Sequence, residues 1–504
     1  MAVYLLGIDI GTSSCKAALF EPDGTVAASG GSDYPVSYPR KGWAEQDPRD
    51  WWNGVCRAVR EMIGESGIDP AQIAGIGVDG QSWSAIALDK AGEVLCPTPI
   101  WTDTRSAEIC RETAGWLTEE KLFGLCGNPP QPGYTWPKIL WYRENRPGVF
   151  EKTDKILQSN SYIVYRMTGE MTQDLSQGYG LACFDMRKGC WDGEMCRELG
   201  IPRRFLPEIV PCHQVVGKLG RVAAEQMGLK EGTPVAAGGL DAACGTLGAG
   251  VVSPGQTQEQ GGQAGGMSIC VDRYAADPRL ILGFHVVPGR WLLQGGTTGG
   301  GGALKWLRET MFPELSFEEM STLAEKAPAG SGGVIFLPYM AGERSPIWNP
   351  DACGVFFGLN FGVTREEIIR ACMEGVAYAL RHNLETAQAA GAQAKTLRAM
   401  GGSANSRIWT RIKADVTGCR MEVPASDTAT TLGAAILAGM GTGVWQSFED
   451  AARQTVRVRK TFEPDRAVKD VYDRGYETYR KLYENLKDLM AGSREPAKGS
   501  ETKQ

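Results

Sequence analysis

The chain has 504 residues, more than one hydrophobic core usually serves, so its length predicts two or three domains. Its 53 Lys and Arg against 59 Asp and Glu give a formal net charge of −6, which leaves no excess positive charge to neutralise a nucleic-acid backbone. The three histidines, His213, His285 and His382, lie far apart and disfavour a zinc site or a Ser-His-Asp triad. Nucleic acid is therefore a poor candidate partner, and histidine-based catalysis is a poor candidate mechanism.

The 14 cysteines and the beginning of the chain both favour a cytoplasmic protein. The cysteines form no CxxC pair and are typical of reduced, mostly buried side chains. The opening MAVYLLGIDIG has no basic leader before its apolar run, and no later segment approaches about 18 uninterrupted apolar residues. We therefore expect no secretion signal and no membrane span.

The first elements in chain order are a hairpin, a third strand and a helix. VYLLGIDIG and CKAALFE are apolar runs on either side of a glycine turn, which predicts a hairpin, and VAASGGSDYPV predicts the next strand. A helix is expected from about Asp47, with Pro48 in its first turn and an apolar face containing Trp51, Val55 and Val59. Short strands follow in IAGIGVDGQSWSAIALD. Strands interspersed with amphipathic helices predict an α/β layered fold.

A similar order of elements recurs after about residue 240. PVAAGGLDAACGTLGAGVV leads into the glycine turn of TQEQGGQAGGMSICVD, and helices are predicted in GGALKWLRETM and TREEIIRACMEGVAYALRHNLETAQ. Residues 468–490 predict a further amphipathic helix, and the polar residues after it predict a frayed end. We therefore expect a duplicated architecture of two lobes with a cleft between them. The expected division is 1–245, 246–490 and a flexible tail at 491–504.

The first segment that could carry chemistry is GIDIGTSSCK, residues 7–16. Its turn exposes backbone N–H groups and hydroxyls, which are the donors that a phosphate group needs, and Asp9 at the strand end is suited to Mg²⁺ through water. The candidate phosphate-binding residues are Gly11, Thr12, Ser13 and Lys16. The segment is neither a GxxxxGKS P-loop nor a GxGxxG fingerprint, and an ordinary hairpin is the alternative interpretation.

The second candidate segment is GGLDAACG, residues 238–245. Asp241 follows two glycines and precedes small residues, so no bulky neighbour blocks a ligand from its carboxylate. A carboxylate so placed can accept the proton of an attacking hydroxyl, whereas the alternative is a helix N-cap, and both roles can hold at once. Asp241 is therefore the candidate general base.

Three glycine-rich segments in the second half form a further group, at 261–266, 295–306 and 401–409. A glycine turn that leads into a helix directs unpaired N–H groups and a positive dipole end at a possible phosphate or nucleotide. Each segment alone is usually just a loop, and only their joint occurrence favours nucleotide binding.

Taken together, the segments resemble the FGGY carbohydrate kinases, a family of the actin/Hsp70-like ATPase superfamily, over nearly the whole chain. The resemblance is carried by GIDIGTSSCK, GVDGQSWSAIALDKAGEVLCPTPIWTDTRS, GYTWPKILWYREN, AAGGLDAACGTLGAG, FLPYMAGERSPIWNP with GVFFGL, and GGSANSRIWTRIKADVTGCRMEVP with TTLGAAILAGMGTGVW. It implies two ribonuclease-H-like lobes, with most of the sugar site in the N-terminal lobe and most of the adenosine site in the C-terminal lobe. It also implies ATP and Mg²⁺ as cofactors and a possible homodimer.

The resemblance also implies roles for individual residues. Asp241 matches the family's catalytic base, and Asp9 matches its acidic residue near Mg²⁺. The positions that match nucleotide-binding and phosphate-binding positions are Gly11, Thr12, Ser13, Gly301, Lys305, Gly401, Gly402 and Asn405. The residues expected to contact the sugar are Gln81, Ser82, Trp83, Trp101, Asp103 and Asp241.

Two departures from the family pattern concern the sugar and the phosphate. Members that act on xylulose commonly have Gln-Met-His-Gly in the sugar segment, whereas Gln81 is followed here by Ser-Trp-Ser. Trp83 is expected to stack on a sugar face or to narrow the pocket, and simple packing is the alternative. The second phosphate hairpin, usually Gly-Thr-Ser-Gly, has the sequence GQAG, so phosphate contacts there are expected from Gly262 and Gln263 through backbone N–H groups or the glutamine side chain.

The resemblance implies ATP-dependent phosphorylation of a sugar hydroxyl. FLPYMAGERSPIWNP followed by GVFFGL resembles most the members that act on xylulose, which implies conversion of D-xylulose to D-xylulose 5-phosphate. Phosphoryl transfer depends mainly on positioning and charge stabilisation, so the scarcity of histidine is no obstacle.

The same chemistry on ribulose, erythritol, glycerol or gluconate is the alternative, because the sugar segment departs from the family pattern. An actin-like or chaperone-like ATP switch is a different class that stays open, whereas a dehydrogenase is disfavoured since no GxGxxG follows the first strand.

Overall fold

The computed structural model describes residues 3–425 and 428–492, which form two units. The first unit takes in the described parts of Met1–Pro254, Cys270–Leu292 and Thr428–Arg457. The second unit takes in those of Gly255–Ile269, Leu293–Asp427 and Val458–Gln504. The chain therefore passes from one unit to the other several times.

The elements alternate between strands and helices along the whole described chain. The strands, numbered in chain order, are β1 (Tyr4–Ile10), β2 (Ser14–Phe20), β3 (Val26–Asp33), β4 (Glu45–Gln46), β5 (Ile73–Gly80), β6 (Ile86–Leu88), β7 (Thr98–Pro99), β8 (Lys155–Leu157), β9 (Thr172–Asp174), β10 (Phe184–Asp185), β11 (Cys190–Trp191), β12 (Glu208–Val210), β13 (Val215–Lys218), β14 (Pro234–Ala236), β15 (Gly239–Leu240), β16 (Gln256–Gly261), β17 (Gly265–Val271), β18 (Ile281–Phe284), β19 (Trp291–Thr297), β20 (Ile335–Leu337), β21 (Val355–Phe357), β22 (Thr396–Met400), β23 (Arg420–Pro424) and β24 (Val458–Phe462). The α-helices are α1 (Pro48–Ser66), α2 (Ala107–Trp116), α3 (Glu119–Cys126), α4 (Thr135–Asn145), α5 (Pro147–Lys152), α6 (Ser159–Thr168), α7 (Gly193–Leu199), α8 (Arg221–Met227), α9 (Asp241–Gly248), α10 (Gly301–Met311), α11 (Phe317–Lys326), α12 (Arg365–Ala389), α13 (Arg407–Thr417), α14 (Ala429–Gly441), α15 (Phe448–Thr455) and α16 (Lys469–Gly492). The α/β class predicted from the sequence is confirmed.

The main sheet of the first unit extends from the N-terminal hairpin. β1 pairs antiparallel with β2, and β2 with β3, as the apolar runs and turns predict. On its other side β1 pairs parallel with β5, which pairs parallel with β14 and β15, and β13 lies antiparallel beyond β14. Because β1, β5 and β15 run in the same direction, their carboxyl ends lie at one edge of the sheet.

Helix α1 packs on this sheet through an apolar face. It begins at Pro48, and its N-cap Asp47 accepts the Arg49 N–H, as the sequence predicts. The buried face contains Trp51, Trp52, Val55, Ala58, Val59, Met62 and Ile63. Each large apolar side chain buried there contributes roughly 1.5–3 kcal/mol to the free energy of unfolding.

Helix α14 lies against β1, β5 and α9 with glycine at the points of contact. A Cβ at Gly7 of β1 would collide with the backbone oxygen of Thr431, and one at Gly77 of β5 would collide with that of Ala434. Only glycine permits a helix backbone to approach a strand so closely. This packing holds the segment 428–457 on the sheet of the first unit.

The second unit repeats the strand pattern of the first. β16 pairs antiparallel with β17 and parallel with β22, β22 pairs parallel with β23, and β23 pairs antiparallel with β24. The same succession of orientations runs along β2, β1, β5, β14 and β13. The duplicated architecture predicted from the sequence is thus present in the strand topology.

The helices of the second unit share an aromatic core. Tyr472, Tyr476 and Tyr479 of α16 are buried together with Tyr378 of α12, as the apolar face of the last predicted helix indicates. Arg370 and Glu374 form a buried ion pair at 2.8 Å beside Tyr472. These contacts fix α16 on its own unit.

The boundaries of the two units differ from the expected division at 245/246. The first passage to the second unit lies after Pro254, and α14 and α15 return to the first unit. The periodicity of apolar residues does not indicate that a helix near the end of the chain packs on a sheet formed near its beginning. The assignment of sugar and nucleotide binding to separate lobes stays a prediction, and residues 493–504 of the expected tail lie outside the described residues.

None of the helices in the described part of the chain combines the length and the apolar character that a membrane crossing needs.

Candidate active site

Asp9 lies at the carboxyl end of β1, opposite Lys16 on β2 and Asp79 on β5. Asp9 is only 6% exposed, and the Thr430 hydroxyl donates to its Oδ2 at 3.3 Å. Burial raises the pKa of Asp9, while the bond with Asp79 and the charge of Lys16 act in the opposite direction. The structure thus places the predicted metal-binding carboxylate beside a cationic side chain and a hydroxyl.

Asp79 is a second carboxylate at this edge and was not predicted from the sequence. Asp79 is fully buried, and no N–H or hydroxyl group among the described residues donates to either of its carboxylate oxygens. Burial, and after it the negative charge of Asp9, raise the pKa of Asp79 well above its ordinary value, which disfavours the charged form of this carboxylate. The signal was present in the sequence, since GVDG repeats the GIDIG pattern of a strand that ends in Asp and Gly.

Asp241 reaches the same edge from β15. Gly239 and Leu240 of β15 pair with Asp79 and Gly80 of β5, and Asp241 is the next residue. Asp241 is the first residue of α9, and the N-cap of this helix is Leu240. Asp241 Oδ1 accepts the Ala242 N–H at 2.6 Å. Burial and the negative charge of Asp9 raise the pKa of Asp241 to about 7. Such a carboxylate is matched to accepting a proton near neutral pH.

The predicted phosphate loop, residues 11–13, forms the turn between β1 and β2. Within the described part of the chain, the N–H groups of Thr12 and Ser13 donate to no other residue. The Thr12 hydroxyl accepts the Trp101 indole N–H at 3.0 Å, and the Thr12 carbonyl accepts the Gln46 amide at 2.9 Å. The turn therefore retains N–H donors for an anion and contacts Trp101, a residue predicted for the sugar.

Gln81 and Asp103, also predicted for the sugar, are both buried. Gln81 donates to Gln46 Oε1 at 2.9 Å, and its own amide oxygen has no donor among the described residues. The Asp103 carboxylate accepts the Ala44 N–H at 2.6 Å and the Arg105 guanidinium at 2.8 Å. A sugar hydroxyl has an acceptor in Gln81, whereas contact with Asp103 would require one of these bonds to break.

Trp83 lies in a cluster of three aromatic rings. Its ring meets Tyr134 edge-on at 4.7 Å between centroids and Tyr179 at 5.5 Å. Its backbone has φ 55°, a left-handed conformation that is uncommon for a bulky residue, and neighbouring Ser82 is half-buried. Trp83 Nε1 is buried without a partner among the described residues. Strain and an unused donor are typical of a site that binds a ligand, although the ring also packs as the alternative interpretation expects.

Lys138, another residue that the sequence analysis missed, joins the loops that carry these groups. Its ammonium is fully buried and donates to the carbonyl oxygens of Trp83 at 2.8 Å, Ile100 at 2.9 Å and Gly133 at 2.7 Å. Burial lowers the pKa of Lys138 to about 7, and the nearby carboxylate of Asp103 opposes that shift. One side chain thus fixes the backbone next to Trp83, Trp101 and Tyr134.

Two of the glycine-rich segments of the second unit are joined by backbone hydrogen bonds. The turn after β16 contains Gly262 and Gln263, whose carbonyl oxygens accept the N–H groups of Gly301 at 2.7 Å and Gly302 at 2.9 Å. The expectation that the start of α10 presents unpaired N–H groups to a nucleotide is therefore wrong for these two, because the hairpin already uses them. Gln263 itself is exposed.

The remaining nucleotide candidates also lie in the second unit. A Cβ at Gly401, which has φ 79°, would approach the Gly261 carbonyl oxygen to 2.9 Å, so this loop lies against the same hairpin. Gly402 is exposed, and Asn405 Oδ1 accepts from Arg459 at 3.4 Å. Lys305 is exposed on α10, 3.9 Å from Glu309. The structure brings the hairpin, α10 and the loop at 401 together, and leaves Lys305 and Asn405 at the surface.

Comparisons with known proteins agree with this arrangement. Residues 4–248 match the N-terminal domain of the FGGY family of carbohydrate kinases, and residues 276–442 match its C-terminal domain. The xylulose kinase of Bacillus subtilis (strain 168) is 31% identical over 491 residues, covering 96% of this chain and 98% of that protein.

Solved structures agree with the fold as well. The crystal structure of xylulose kinase from Rhodospirillum rubrum has a TM-score of 0.91 at 31% identity and covers 97% of this chain and 100% of that one. That of gluconate kinase from Lactobacillus acidophilus has a TM-score of 0.91 at 25% identity and covers 98% and 99%. The two predicted ribonuclease-H-like ATPase lobes are confirmed, and the chain belongs to the FGGY family of carbohydrate kinases.

Proposed function

We propose that this carbohydrate kinase transfers the γ-phosphoryl group of ATP to a primary hydroxyl of D-xylulose, giving D-xylulose 5-phosphate. The observation that carries the proposal is Asp241, a partly buried carboxylate at the carboxyl edge of the sheet with a pKa of about 7. In the proposed mechanism Asp241 accepts the proton of the sugar hydroxyl while the hydroxyl oxygen bonds to the γ-phosphorus of ATP, and the bond from that phosphorus to the β,γ-bridging oxygen breaks so that ADP leaves. The names of the relatives support xylulose as the substrate.

The sugar is proposed to lie near Gln81, Ser82, Trp83 and Trp101. The unpartnered Gln81 Oε1 and Trp83 Nε1 offer one acceptor and one donor, which suit the hydroxyl groups of a polyol. Two aromatic rings support the apolar face of a sugar. Asp103 is proposed to act here through Arg105 and the Ala44 backbone.

ATP is the phosphate donor of the kinase family. Its phosphates are proposed to meet the free N–H groups of Thr12 and Ser13, with Lys16 neutralising charge, while Gly11, whose N–H donates to the Ser14 carbonyl at 3.0 Å, shapes the turn. The second unit is proposed to bind the rest of the nucleotide through Gly262, Gln263, Gly301, Lys305, Gly401, Gly402 and Asn405. With the N–H of Gly301 already donated to the hairpin, Gly301 acts by positioning Gly262.

Asp9 is the residue proposed to hold Mg²⁺. A single buried carboxylate suits a cation that keeps several waters and completes its shell with phosphate oxygens. Bound Mg²⁺ would neutralise charge on the phosphate oxygens.

A pH profile tests the role of Asp241. A general base must be ionised, and because the pKa of Asp241 is raised to about 7, the base is lost as the pH falls through that value. We expect kcat/KM for the sugar to fall about tenfold per unit below pH about 7 and to level off above it. The measurement is direct quantification of sugar phosphate, and a flat profile between pH about 5.5 and 8 would contradict the assignment.

The acceptor itself is tested by a screen of ADP release over pentuloses, polyols and aldonic acids. We expect ADP release to depend on the sugar and to be fastest with D-xylulose. Gluconate is the second candidate, because a gluconate kinase shares the fold over the whole chain and Trp83 alters the sugar segment. ADP release at the same rate with and without every sugar would instead indicate an ATP switch and overturn the proposal. A homodimer stays a prediction.

A further inference from the structure

A network of fully buried polar side chains lies behind the candidate active site of the first unit. It consists of Asn160, Asp174, Ser176 and Gln177, each at most 1% exposed. Buried polar groups of this kind are costly unless every one finds a partner, and together they specify a single arrangement of the backbone around them. None of the four was predicted as a site residue from the sequence.

One branch of the network leads to Asp241. Ser176 Oγ donates to Asp174 Oδ1 at 2.5 Å and accepts the Leu240 N–H at 2.8 Å. Leu240 is the N-cap of α9 and directly precedes Asp241. The hydroxyl of Ser176 therefore determines where the backbone places the carboxylate of Asp241.

The other branch leads to the sugar loop. Asp174 Oδ2 accepts the Asn160 side-chain amide at 2.9 Å, which turns Asn160 Oδ1 toward Gln177 Nε2 at 3.2 Å. Gln177 Oε1 then accepts the Trp83 N–H at 3.2 Å, and its Nε2 donates to the Gln81 carbonyl at 3.3 Å. The orientation of the Gln177 amide, and with it the strained backbone of Trp83, follows from the carboxylate of Asp174.

We propose that Asp174 is a positioning residue that aligns the catalytic carboxylate and the sugar loop with each other through its two oxygens. This inference rests on the proposed function, since it takes Asp241 as the base and the loop at 81–83 as the sugar site. Oδ1 acts through Ser176 on Asp241 and also accepts the Gln177 backbone N–H at 3.1 Å, whereas Oδ2 acts through Asn160 and the Gln177 side chain on Trp83. The hydroxyl of Ser176 and the side-chain amide of Gln177 are the groups that belong to one branch only. The two branches therefore affect different kinetic constants.

The test separates the branches with Ser176→Ala and Gln177→Met, assayed with D-xylulose. S176A loses the bond to Leu240 N and is expected to lower kcat about tenfold with a change in sugar KM below about twofold. Q177M loses the bonds to Trp83 and Gln81 and is expected to raise the sugar KM about tenfold with a smaller change in kcat. Asp174→Asn disturbs both branches and is expected to change both constants.

Ser161→Ala is the matched control. Ser161 is buried to the same degree, and its hydroxyl accepts the Gln158 N–H at 2.9 Å inside the cap of α6, outside both branches. We expect S161A to lose a similar free energy of unfolding as S176A and to keep wild-type kcat and KM. If S176A and Q177M behave like S161A, or if each changes kcat and KM in the same proportion, the inference is overturned.

Asp241→Asn, assayed in parallel, distinguishes a failure of the positioning role of Asp174 from a failure of the proposed function. If D241N is inactive while S176A and Q177M show no split between kcat and KM, the positioning role of Asp174 fails and the proposed function stands. If D241N turns over D-xylulose at the wild-type rate, the proposed function fails and the inference fails with it.

Discussion

Replacing Asp241 by Asn is expected to reduce sugar phosphorylation by a factor on the order of 10³ while the protein stays folded and binds ATP. The amide has the shape of the carboxylate and can still accept the Ala242 N–H, but it cannot take up the proton of the sugar hydroxyl. The raised pKa shows that burial and Asp9 disfavour the charged form, so removing this charge is not expected to lower the free energy of unfolding. Turnover with D-xylulose, ATP binding and thermal unfolding are the three measurements.

Asp272→Asn is the matched control for this variant. Asp272 is an exposed aspartate of the same unit, so the same chemical change there is expected to leave kcat and KM at wild-type values. A D241N enzyme with turnover close to that of D272N would contradict the role assigned to Asp241.

The second large effect is expected at Lys138, whose replacement by Met removes the ammonium that joins three loops. The carbonyl oxygens of Trp83, Ile100 and Gly133 lose a buried donor, which is expected to lower the free energy of unfolding by about 3 kcal/mol. Because these loops carry Trp83 and Trp101, the sugar KM is expected to rise about tenfold. Denaturant unfolding and sugar saturation curves measure the two effects.

Lys155→Met provides the comparison for Lys138. Lys155 donates to one carbonyl, that of Arg204 at 2.8 Å, and to the Asp154 carboxylate at 3.2 Å, and its side chain is 27% exposed. K155M is expected to change the free energy of unfolding by less than about 0.5 kcal/mol and to keep the wild-type KM. If K138M were as stable as K155M with an unchanged KM, Lys138 would not hold the sugar loops.

The sequence predicted those site residues that lie in a recognisable local pattern. Asp9 and Asp241 each stand beside glycines at a strand end, and both lie at the shared edge of the sheet in the structure. Asp79 and Lys138 were not predicted, because their roles depend on partners far along the chain, although the GVDG segment of Asp79 does repeat the local pattern around Asp9. Asp79 acquires its role from the parallel pairing of β1 with β5, and Lys138 from carbonyls 38 and 55 residues earlier.

The glycines show where local reasoning fails. Gly301 was expected to bind nucleotide, yet its N–H group donates to the Gly262 carbonyl of the hairpin, and Gly7 and Gly77, for which no role was predicted, permit the close approach of α14. A glycine permits either another backbone segment or a ligand to approach the chain closely, and the sequence alone does not distinguish the two. The unit boundaries were not predicted for a similar reason, since α14 packs on β1, a strand about 420 residues earlier in the chain.

The most direct test of the account is the identity of the reaction product. The wild-type enzyme is incubated with ATP, Mg²⁺ and D-xylulose, and phosphorus NMR follows both the new phosphomonoester and inorganic phosphate. We expect one sugar phosphate for each ADP formed, with the ester on the C5 hydroxyl, and almost no inorganic phosphate. ADP accompanied by inorganic phosphate and no sugar ester would contradict it.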